Sequence, residues 1–430
     1  MPKLFRSHCF KIQDYPASKA LIVQRQAETE DVQMTISRTG SLRAFVTALL
    51  ASVVLLAPLQ ANSEDITLKS KNGDFELTGE LVAFENNTFT VTSSMGTFKI
   101  DGALFECVGD ACPELGPIVW DVSLWGKRRA FTEHIEKLAE LVAEKTDGQF
   151  TLRLSYGGLA PSRENLDGIA AGSFQMAQFC AGYHPDKNPS ITVLELPFLG
   201  VTSMEQEMKV SRAVYDHPAV KEDMARWNAT LLMPTPQPQY NIVGVGMPPT
   251  SFASFEGMTV RATGGTGAAI EALGASSITI PAPQVKDALS KGEINAVAFA
   301  PHAHMSFETV NSAIWWTTNL NPGTANCPVV VNTQALDALP TPSRVALLSS
   351  VDEALEYFIS NYEGSTLAAW DAVLEERGII QLTIDDEILR AINAEVAGPT
   401  ANAWIAEKEA FGLPARELYD LVIGVVRGTQ

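Results

Sequence analysis

Residues 167–179, DGIAAGSFQMAQF, and residues 287–299, DALSKGEINAVAF, carry one pattern at an interval of 120 residues. Asp167 and Asp287, Ile169 and Leu289, Gly172 and Gly292, and Phe179 and Phe299 occupy matching offsets. Each copy reads as a helix end, a glycine stop and a strand. The repetition predicts two similar α/β lobes. Lobes that present strand ends to each other form a cleft, and such clefts are where small ligands bind.

The surroundings of each copy extend the pattern. Upstream of the first, Ile118–Trp125 reads as a strand, and a helix follows with Phe131, Ile135, Leu138 and Val142 at helical spacing before Gly148. A strand at 150–154, a helix at 163–171 and a strand at 174–179 complete a βαβαβ unit. Leu194–Phe198 and Thr230–Met233 read as further strands around a helix near 204–227. Pro234, Pro236 and Pro238 then interrupt the chain, as expected of a crossing between lobes. Past Gly257 the unit restarts: strand 258–261, helix 266–273, strand 278–280, helix 284–290, strand 294–299. Val329–Asn332 reads as a return strand, and a long helical stretch over 342–377 is placed to brace both lobes.

The amino-terminal third has a different character. Residues 1–33 hold no sustained period, whereas Met34 opens a secretory signal: Arg38 and Arg43, the apolar run Ala44–Leu56, and Leu59-Gln60-Ala61 as cleavage site. An apolar run of about 13 residues is short for a bilayer span. Export to the periplasm is therefore expected, with residues 1–33 a start-site extension and 34–61 removed. Between Asp65 and Asp101, ITLKS, DFELTGELVAF, NTFTVTSS and GTFKI alternate apolar and polar residues between turn signals, which predicts a β-meander. This gives a β-rich module at 62–112, a linker at 113–117 and a ligand-binding body at 118–430. Its first lobe covers about 118–240, its second about 241–340, and helices of 341–430 brace both.

Charge narrows the partners. Beyond residue 61 the chain carries 24 Lys/Arg against 46 Asp/Glu, a net charge of −22. A surface so acidic repels nucleic acid and anionic lipid, yet a local cation in the cleft still binds a small anion. After export, Cys107 and Cys112 in CVGDAC are expected to form a local disulfide. No second Cys/His pair completes a metal site with them. Cys180 and Cys327 adjoin apolar runs and read as buried free thiols, a bridge between them remaining open.

Arg261 ends a strand just before Ala-Thr-Gly-Gly-Thr-Gly and a helix. A guanidinium there faces the cleft, its planar fork matches a carboxylate, and the helix N-terminus adds partial positive charge. As a cleft residue it is expected to contribute little to either lobe's core.

At this point a family resemblance becomes visible. Phe255-Glu256-Gly257-Met258-Thr259-Val260-Arg261-Ala262-Thr263-Gly264 resembles the "G-x-[KT]-[IV]-R" segment of the extracytoplasmic solute receptors of tripartite ATP-independent periplasmic (TRAP) transporters. Ala288-Leu289 through Gly292, Ile294 and Asn295-Ala296 resembles their "aL-x-x-G-x-[IV]-D-[GA]" segment, and Val329–Pro340 their "vvS…w-x-x-LP". In the first lobe the helix at 128–145 and the Arg163–Phe179 element ahead of Leu194, Pro197 and Phe198 match as well. The resemblance spans about residues 118 to 425 and leaves out the β-module. It implies a two-lobed periplasmic-binding-protein-like α/β fold with a long bracing helix, here preceded by a small all-β module. It also implies that Arg261 clamps a substrate carboxylate and that a membrane permease receives the ligand. Loops after the strands supply the other expected cleft contacts: Trp125, Phe179, Cys180, Tyr183, Phe299, Asn326, and Gln239 or Tyr240 near the crossover. Some relatives carry Glu-Trp where Ala298 and Phe299 stand here, so a metal-assisted site is not expected; His302 and His304 lack an acidic neighbour.

Rival readings fare less well. Met258–Gly267 is strand, Gly-rich loop and helix, but Gly265-Thr-Gly267-Ala-Ala-Ile270 lacks the third small residue of a dinucleotide fingerprint, and no acidic residue ends the next strand. No Gly-x-Ser-x-Gly elbow occurs, which argues against a hydrolase. No cofactor is expected. A periplasmic enzyme or a cell-envelope adhesion protein on the same fold is the alternative to a receptor for a small organic anion.

Overall fold

The computed structural model describes residues 65–70, 73–85, 88–102, 104–113, 116–249 and 255–428. The expected extension and signal at 1–61 lie outside the described residues.

The period-two segment folds into five antiparallel strands, β1 (Asp65–Ser70), β2 (Glu76–Glu85), β3 (Thr88–Ser93), β4 (Gly96–Asp101) and β5 (Phe105–Val108), ordered β4-β3-β2-β1-β5. Alternation sends Ile66, Leu68, Leu77, Phe89 and Val91 to one buried face. The Cys107–Cys112 disulfide closes the last strand against that face.

Two further sheets follow, built from β6 (Ile118–Leu124), β7 (Phe150–Tyr156), β8 (Met176–Gln178), β9 (Ala229–Met233), β10 (Asn241–Gly244), β11 (Thr259–Arg261), β12 (Ser276–Ile278), β13 (Ala296–Phe299), β14 (Trp315–Thr317), β15 (Val329–Asn332) and β16 (Ile380–Leu382). The first lobe's sheet runs β7-β6-β8-β15-β9, the second lobe's β12-β11-β13-β10-β14-β16. The repeated pattern occupies equivalent places: helix α2 (Asn165–Ala170) and β8 in one lobe match α6 (Val285–Ser290) and β13 in the other. Gly172 and Gly292 stop the helices at φ 67° and 71°, a left-handed conformation that glycine adopts without a Cβ penalty.

The chain passes between lobes more than once. Residues 234–240 lead from β9 into β10, and residues 318–328 lead back from β14 to β15. These crossings are tied together, since the Tyr240 amide donates to the Gly323 carbonyl at 2.9 Å and Gln237 Nε2 to the Ala325 carbonyl at 2.9 Å.

Helices cover the sheets. In the first lobe α1 (Glu133–Lys145) buries Ile135, Leu138 and Val142 as the spacing predicts. The single helix expected near 204–227 divides into α3 (Met204–Tyr215), capped by Ser203, and α4 (Pro218–Ala225), because Pro218 starts a new first turn. Leu194–Phe198 is not the expected strand. Ile191–Glu195 forms a 3-10 turn that buries Ile191, Val193 and Leu194, and an apolar run this short does not reveal its period. The second lobe adds α5 (Gly264–Ala272) before α6, and α7 (Pro301–Ser306) after β13.

The expected bracing stretch over 342–377 is divided into α9 (Thr341–Ser349), α10 (Val351–Asn361) and α11 (Leu367–Arg377); α8 (Thr333–Ala338) precedes it, and α12 (Asp386–Ala410) and α13 (Ala415–Arg427) follow. Leu347, Val351 and Leu355 pack into the first lobe with Ile135 and Leu138, whereas Trp370 and Leu374 pack into the second with Val260 and Phe299. The 25-residue α12 also serves both: Ile392 and Val396 join the second lobe's core and Ala401 joins Ile191 and Leu194, with Pro399 between them. Each fully buried Ile or Val contributes about 1.5–3 kcal/mol, so detaching α12 from either lobe is costly.

Candidate functional site

Between the sheets lies a cavity of about 30 Å³ whose wall comes from both lobes. The first lobe supplies Trp125, Arg129, Phe131, Tyr183 and Glu195, and the second supplies Arg261, Thr263, Phe299, His302 and Phe307. Gln237 and Tyr240 of one crossing and Ala325 and Cys327 of the other close it.

Arg261 ends β11 and is 2% exposed. Its Nε donates to the Ile280 carbonyl at 3.1 Å, Nη1 to the Ala298 carbonyl at 3.4 Å, and Nη2 to the Tyr183 hydroxyl at 3.1 Å. The Phe299 ring backs the guanidinium at 4.4 Å. Arg261 is thus a wall residue that also ties two strand ends, a structural share that its position in sequence did not suggest. Tyr183 crosses the cleft: its oxygen accepts from Arg261 and from the Ala282 amide at 3.0 Å, both in the second lobe.

A second buried arginine shares the cavity. Arg129 is 7% exposed, and its Nη1 donates to the Trp125 carbonyl at 3.2 Å and the Lys127 carbonyl at 2.7 Å. Its Nε and Nη2 are buried without a partner among the described residues. Trp125, Phe131 and Phe307 surround the guanidinium at 4.4, 4.6 and 5.2 Å. Burial pushes its pKa down to about 9.

One carboxylate belongs to the wall. Glu195 Oε1 accepts from the Gly182 and Asn326 amides, each at 3.0 Å, while Oε2 has no partner among the described residues. Burial pushes its pKa up to about 7, and nearby Arg261 works the other way. Glycines make room for it, since a Cβ on Gly264 would meet Oε2 at 2.1 Å and one on Gly182 at 2.7 Å. Behind it, Asn326 accepts from the Tyr215 hydroxyl at 3.0 Å and donates to Ser211 Oγ at 3.1 Å. Burial likewise raises Glu207 beside Ser211 to about 7.

Of the residues expected from sequence, Trp125, Cys180, Tyr183, Tyr240, Arg261 and Phe299 line the cavity. Three others stand elsewhere. Phe179 points to the opposite face of β8 and packs fully buried with Leu166, Ile169 and Phe174, as strand alternation requires of the neighbour of a cavity residue. Gln239 lines a separate surface hollow with Pro238 and Trp316, while Gln237, two residues earlier, reaches the cavity. Asn326 supports the wall from behind through Glu195.

Cys180 and Cys327 are not free thiols: they form a disulfide at the cavity wall. Antiparallel register explains the pairing. Gln178 sits opposite Val329 where β8 meets β15, and continuing that register two residues places Cys180 opposite Cys327.

His302 and His304 are buried and kept neutral by desolvation. His302 Nδ1 pairs with the Tyr362 hydroxyl at 2.8 Å, and His304 is held between Thr309 Oγ1 at 2.8 Å and the Asn241 carbonyl at 3.1 Å.

Arg129 and Glu195 escaped the sequence reading. Lys127-Arg128-Arg129 looks like a solvated cation run, and Arg128 is one, pairing with Glu136. The available signal was the aromatic flank, Trp125 and Phe131, which gives a guanidinium a place to be buried. Glu195 sits in an apolar run and offers no signal of its own.

Comparison with known proteins places this architecture. Residues 123–405 match the model of bacterial extracellular solute-binding protein, family 7. Among solved structures, an extracytoplasmic solute receptor of Bordetella pertussis binding pyroglutamic acid is 18% identical, with TM-score 0.63 over 71% of this chain and 99% of its own. A TRAP periplasmic solute-binding protein of Bordetella bronchiseptica with bound mandelate is 20% identical, with TM-score 0.64 over 73% of this chain and 100% of its own. A marine metagenome TRAP solute-binding protein specific for aromatic acid ligands is 18% identical, with TM-score 0.66 over 73% and 99%.

Proposed function

From the premise that this chain belongs to the bacterial extracellular solute-binding proteins of family 7, we propose that it is the periplasmic receptor of a TRAP transporter, that it holds a small organic acid by its carboxylate between the lobes, and that it passes the acid to a membrane permease. The observation that carries this reading is the cavity itself: two buried guanidinium groups line it together with one carboxyl group, Glu195, that burial holds towards its neutral form. Buried cations without counter-charge are costly, and an anion entering the cavity removes that cost. Relatives of the same fold are described with pyroglutamic acid, mandelate and aromatic acids bound, which agrees with an acid as ligand.

A volume of about 30 Å³ is room for few atoms, so an organic acid enters only when the lobes part. Ligand then favours closure because the cross-cleft contacts, Tyr183 with Arg261 and Ala282 among them, re-form around it. The role requires no covalent step and no cofactor. Residues 34–61 serve as the cleaved export signal in this reading, and the β-module at 62–112 stands apart from the ligand site.

Native mass spectrometry of freshly purified protein, followed by calorimetric titration of the acid so identified, tests the proposal. Stoichiometric binding of an organic acid, lost in Arg261→Ala, supports it. Turnover of the acid would make the protein an enzyme instead, and absence of any acid ligand would favour the adhesion reading.

A further inference from the structure

We propose that Glu195 is a proton-carrying latch between the lobes: its carboxyl group seats against the start of α5 as a neutral acid, so that closure of the cleft takes up a proton and opening releases it. This goes beyond the receptor reading above, on which it rests for the opening and closing of the lobes, and it requires no contact between Glu195 and the ligand.

Glu195 ends the 3-10 turn Ile191–Glu195 of the first lobe and is 2% exposed. Its Oε1 is held by the Gly182 and Asn326 amides. Its Oε2 is enclosed between Gly182 of the same lobe and Gly264 at the start of α5 in the other, positions whose Cβ atoms would meet it at 2.7 and 2.1 Å, and it has no partner among the described residues. Arg261 acts on the carboxyl group through space only, since its hydrogen bonds go to Ile280, Ala298 and Tyr183. A charged oxygen sealed from water and left without a donor is costly, whereas a neutral acid leaves far less to satisfy. The second lobe also brings Thr263 and Thr266, on either side of the Gly264–Gly265 pair, whose hydroxyls are buried without partners among the described residues. A hydroxyl oxygen is able to accept the O–H of an acid.

The groups around Glu195 pull in both directions. Arg261 of β11, the two amides on Oε1 and the positive end of α5 favour the anion. Full burial favours the acid, and so does Glu207 of α3, which stands behind Asn326 and Ser211. Tyr215 of α3 and Tyr240 of the crossing also face the carboxyl group, and Tyr183 and Arg129 line the same cavity. The only titratable residue of α5 is Glu271 near its far end, bonded by Ser277, and α13 packs on the 3-10 turn through Leu418 and Val422. Burial wins, and the carboxyl group is pushed up to about 7. Because α5 belongs to the second lobe, its cover over Oε2 is removed when the lobes part. Water then reaches the oxygen and returns the group towards its ordinary value of 4.5. A group with a higher pKa in the closed form binds a proton on closure, so closure is favoured most below about pH 4.5 and loses that help as pH rises through 7.

Lobe separation can be followed without any ligand. Nitroxide labels on Leu159→Cys and Gln284→Cys, exposed positions just past β7 and β12 at the cleft ends of the two sheets, report the distance between lobes by pulsed electron paramagnetic resonance. The labelled full chain is measured with and without Glu195→Gln or Glu207→Gln at pH 6, 7 and 8.5. Gln keeps the oxygen that accepts from Gly182 and Asn326 and stands for the neutral acid. Relative to Glu195→Gln, the closed-to-open ratio of the wild type should fall by roughly tenfold from pH 6 to pH 8.5. His302, which stacks on Phe131 across the cleft, is common to both proteins and cancels in that comparison. Glu207→Gln, whose site lies within the first lobe, should keep most of the dependence. In wild type alone the ratio should fall by about twofold between pH 7 and pH 8.5, a check that needs no variant. A ratio that does not change with pH relative to Glu195→Gln, a single distance at every pH, or a dependence abolished by Glu207→Gln overturns the proposal. If an organic acid nevertheless binds and Arg261→Ala loses it, the receptor reading stands and this inference alone fails. If the distance responds to pH as expected and no organic acid binds, the latch stands and the receptor reading fails.

Discussion

Gly265 at the start of α5 lies directly against the backbone of Glu195 in the other lobe: a Cβ on Gly265 would sit 2.0 Å from the Glu195 carbonyl oxygen and 2.8 Å from the Leu196 Cα. The lobes approach this closely only because that position carries no side chain. Both obstructing atoms belong to backbone, so no rotamer change relieves the clash. Gly265→Ala should leave each lobe folded and hold the cleft open, because Ala suits a helix better than Gly. Small-angle scattering should then show a larger radius of gyration, with weakened acid binding. Wild-type dimensions and affinity in Gly265→Ala would show that closure does not bring these backbones together.

Arg261 ties strand ends in the structure and holds the ligand in the proposed function, and its variants should separate the two. Arg261→Lys keeps a charge but loses the fork, and Arg261→Ala loses both, so acid affinity should fall in that order, by about 2–5 kcal/mol for Ala. Ala also strips a donor from the carbonyls of Ile280 and Ala298, which should lower stability by about 1–3 kcal/mol. Titration and thermal melts of the three proteins check both effects; unchanged affinity in folded Arg261→Ala removes Arg261 from the site.

The two disulfides should differ in their effect on stability. Cys180–Cys327 spans 147 residues and Cys107–Cys112 spans 5, and the loop-closure model gives about 5 and about 2 kcal/mol respectively. Cys180→Ala with Cys327→Ala should therefore lower the melting temperature more than Cys107→Ala with Cys112→Ala. Only the first pair should also weaken acid binding, since only it borders the cavity. A larger loss of affinity from the second pair would contradict the separation of the β-module from the site.

Stability should vary with pH in a way set by buried groups. Glu195 and Glu207 have folded pKa values raised to about 7 from near 4.5, so their contribution is fully present below about pH 4.5 and is lost as pH rises through 7. Buried histidines act in reverse: His134 near 3, His184 near 4 and His304 near 3, with His302 also well lowered, contribute above about pH 6.5 and lose that contribution on acidification. The four histidines outweigh the two glutamates between pH 4.5 and 6.5, which places the optimum near 6.5. Glu207→Gln mimics the neutral acid, so it should raise stability at pH 8, by at most about 3 kcal/mol, and leave it nearly unchanged at pH 5. Chemical denaturation at the two pH values checks this; equal effects at both would mean Glu207 does not titrate in this range.

Much of the fold was legible in the sequence because local chemistry dictates it. The paired Gly172 and Gly292 stops, the period-two run from Asp65, the helical spacing of Ile135, Leu138 and Val142, and the short Cys107–Cys112 interval each depend on neighbours within a few residues. The position of Arg261 at a strand end before a Gly-rich turn belongs to the same class.

Other features depend on residues far apart in the chain, and only the tertiary structure decided them. The Cys180–Cys327 bridge needs the β8–β15 register, which brings together strands about 150 residues apart. Which of Gln237 and Gln239 faces the cavity depends on how one crossing is bonded to the other. The contrast between Arg128 and Arg129 is the sharpest case: adjacent in sequence and alike in chemistry, one lies at the surface with Glu136, while the other is enclosed by aromatic rings from both lobes. Sequence determines what a side chain can do, but burial and the company of distant residues set its free energy of charge and its unused hydrogen bonds, and these arise only once the lobes are folded against each other.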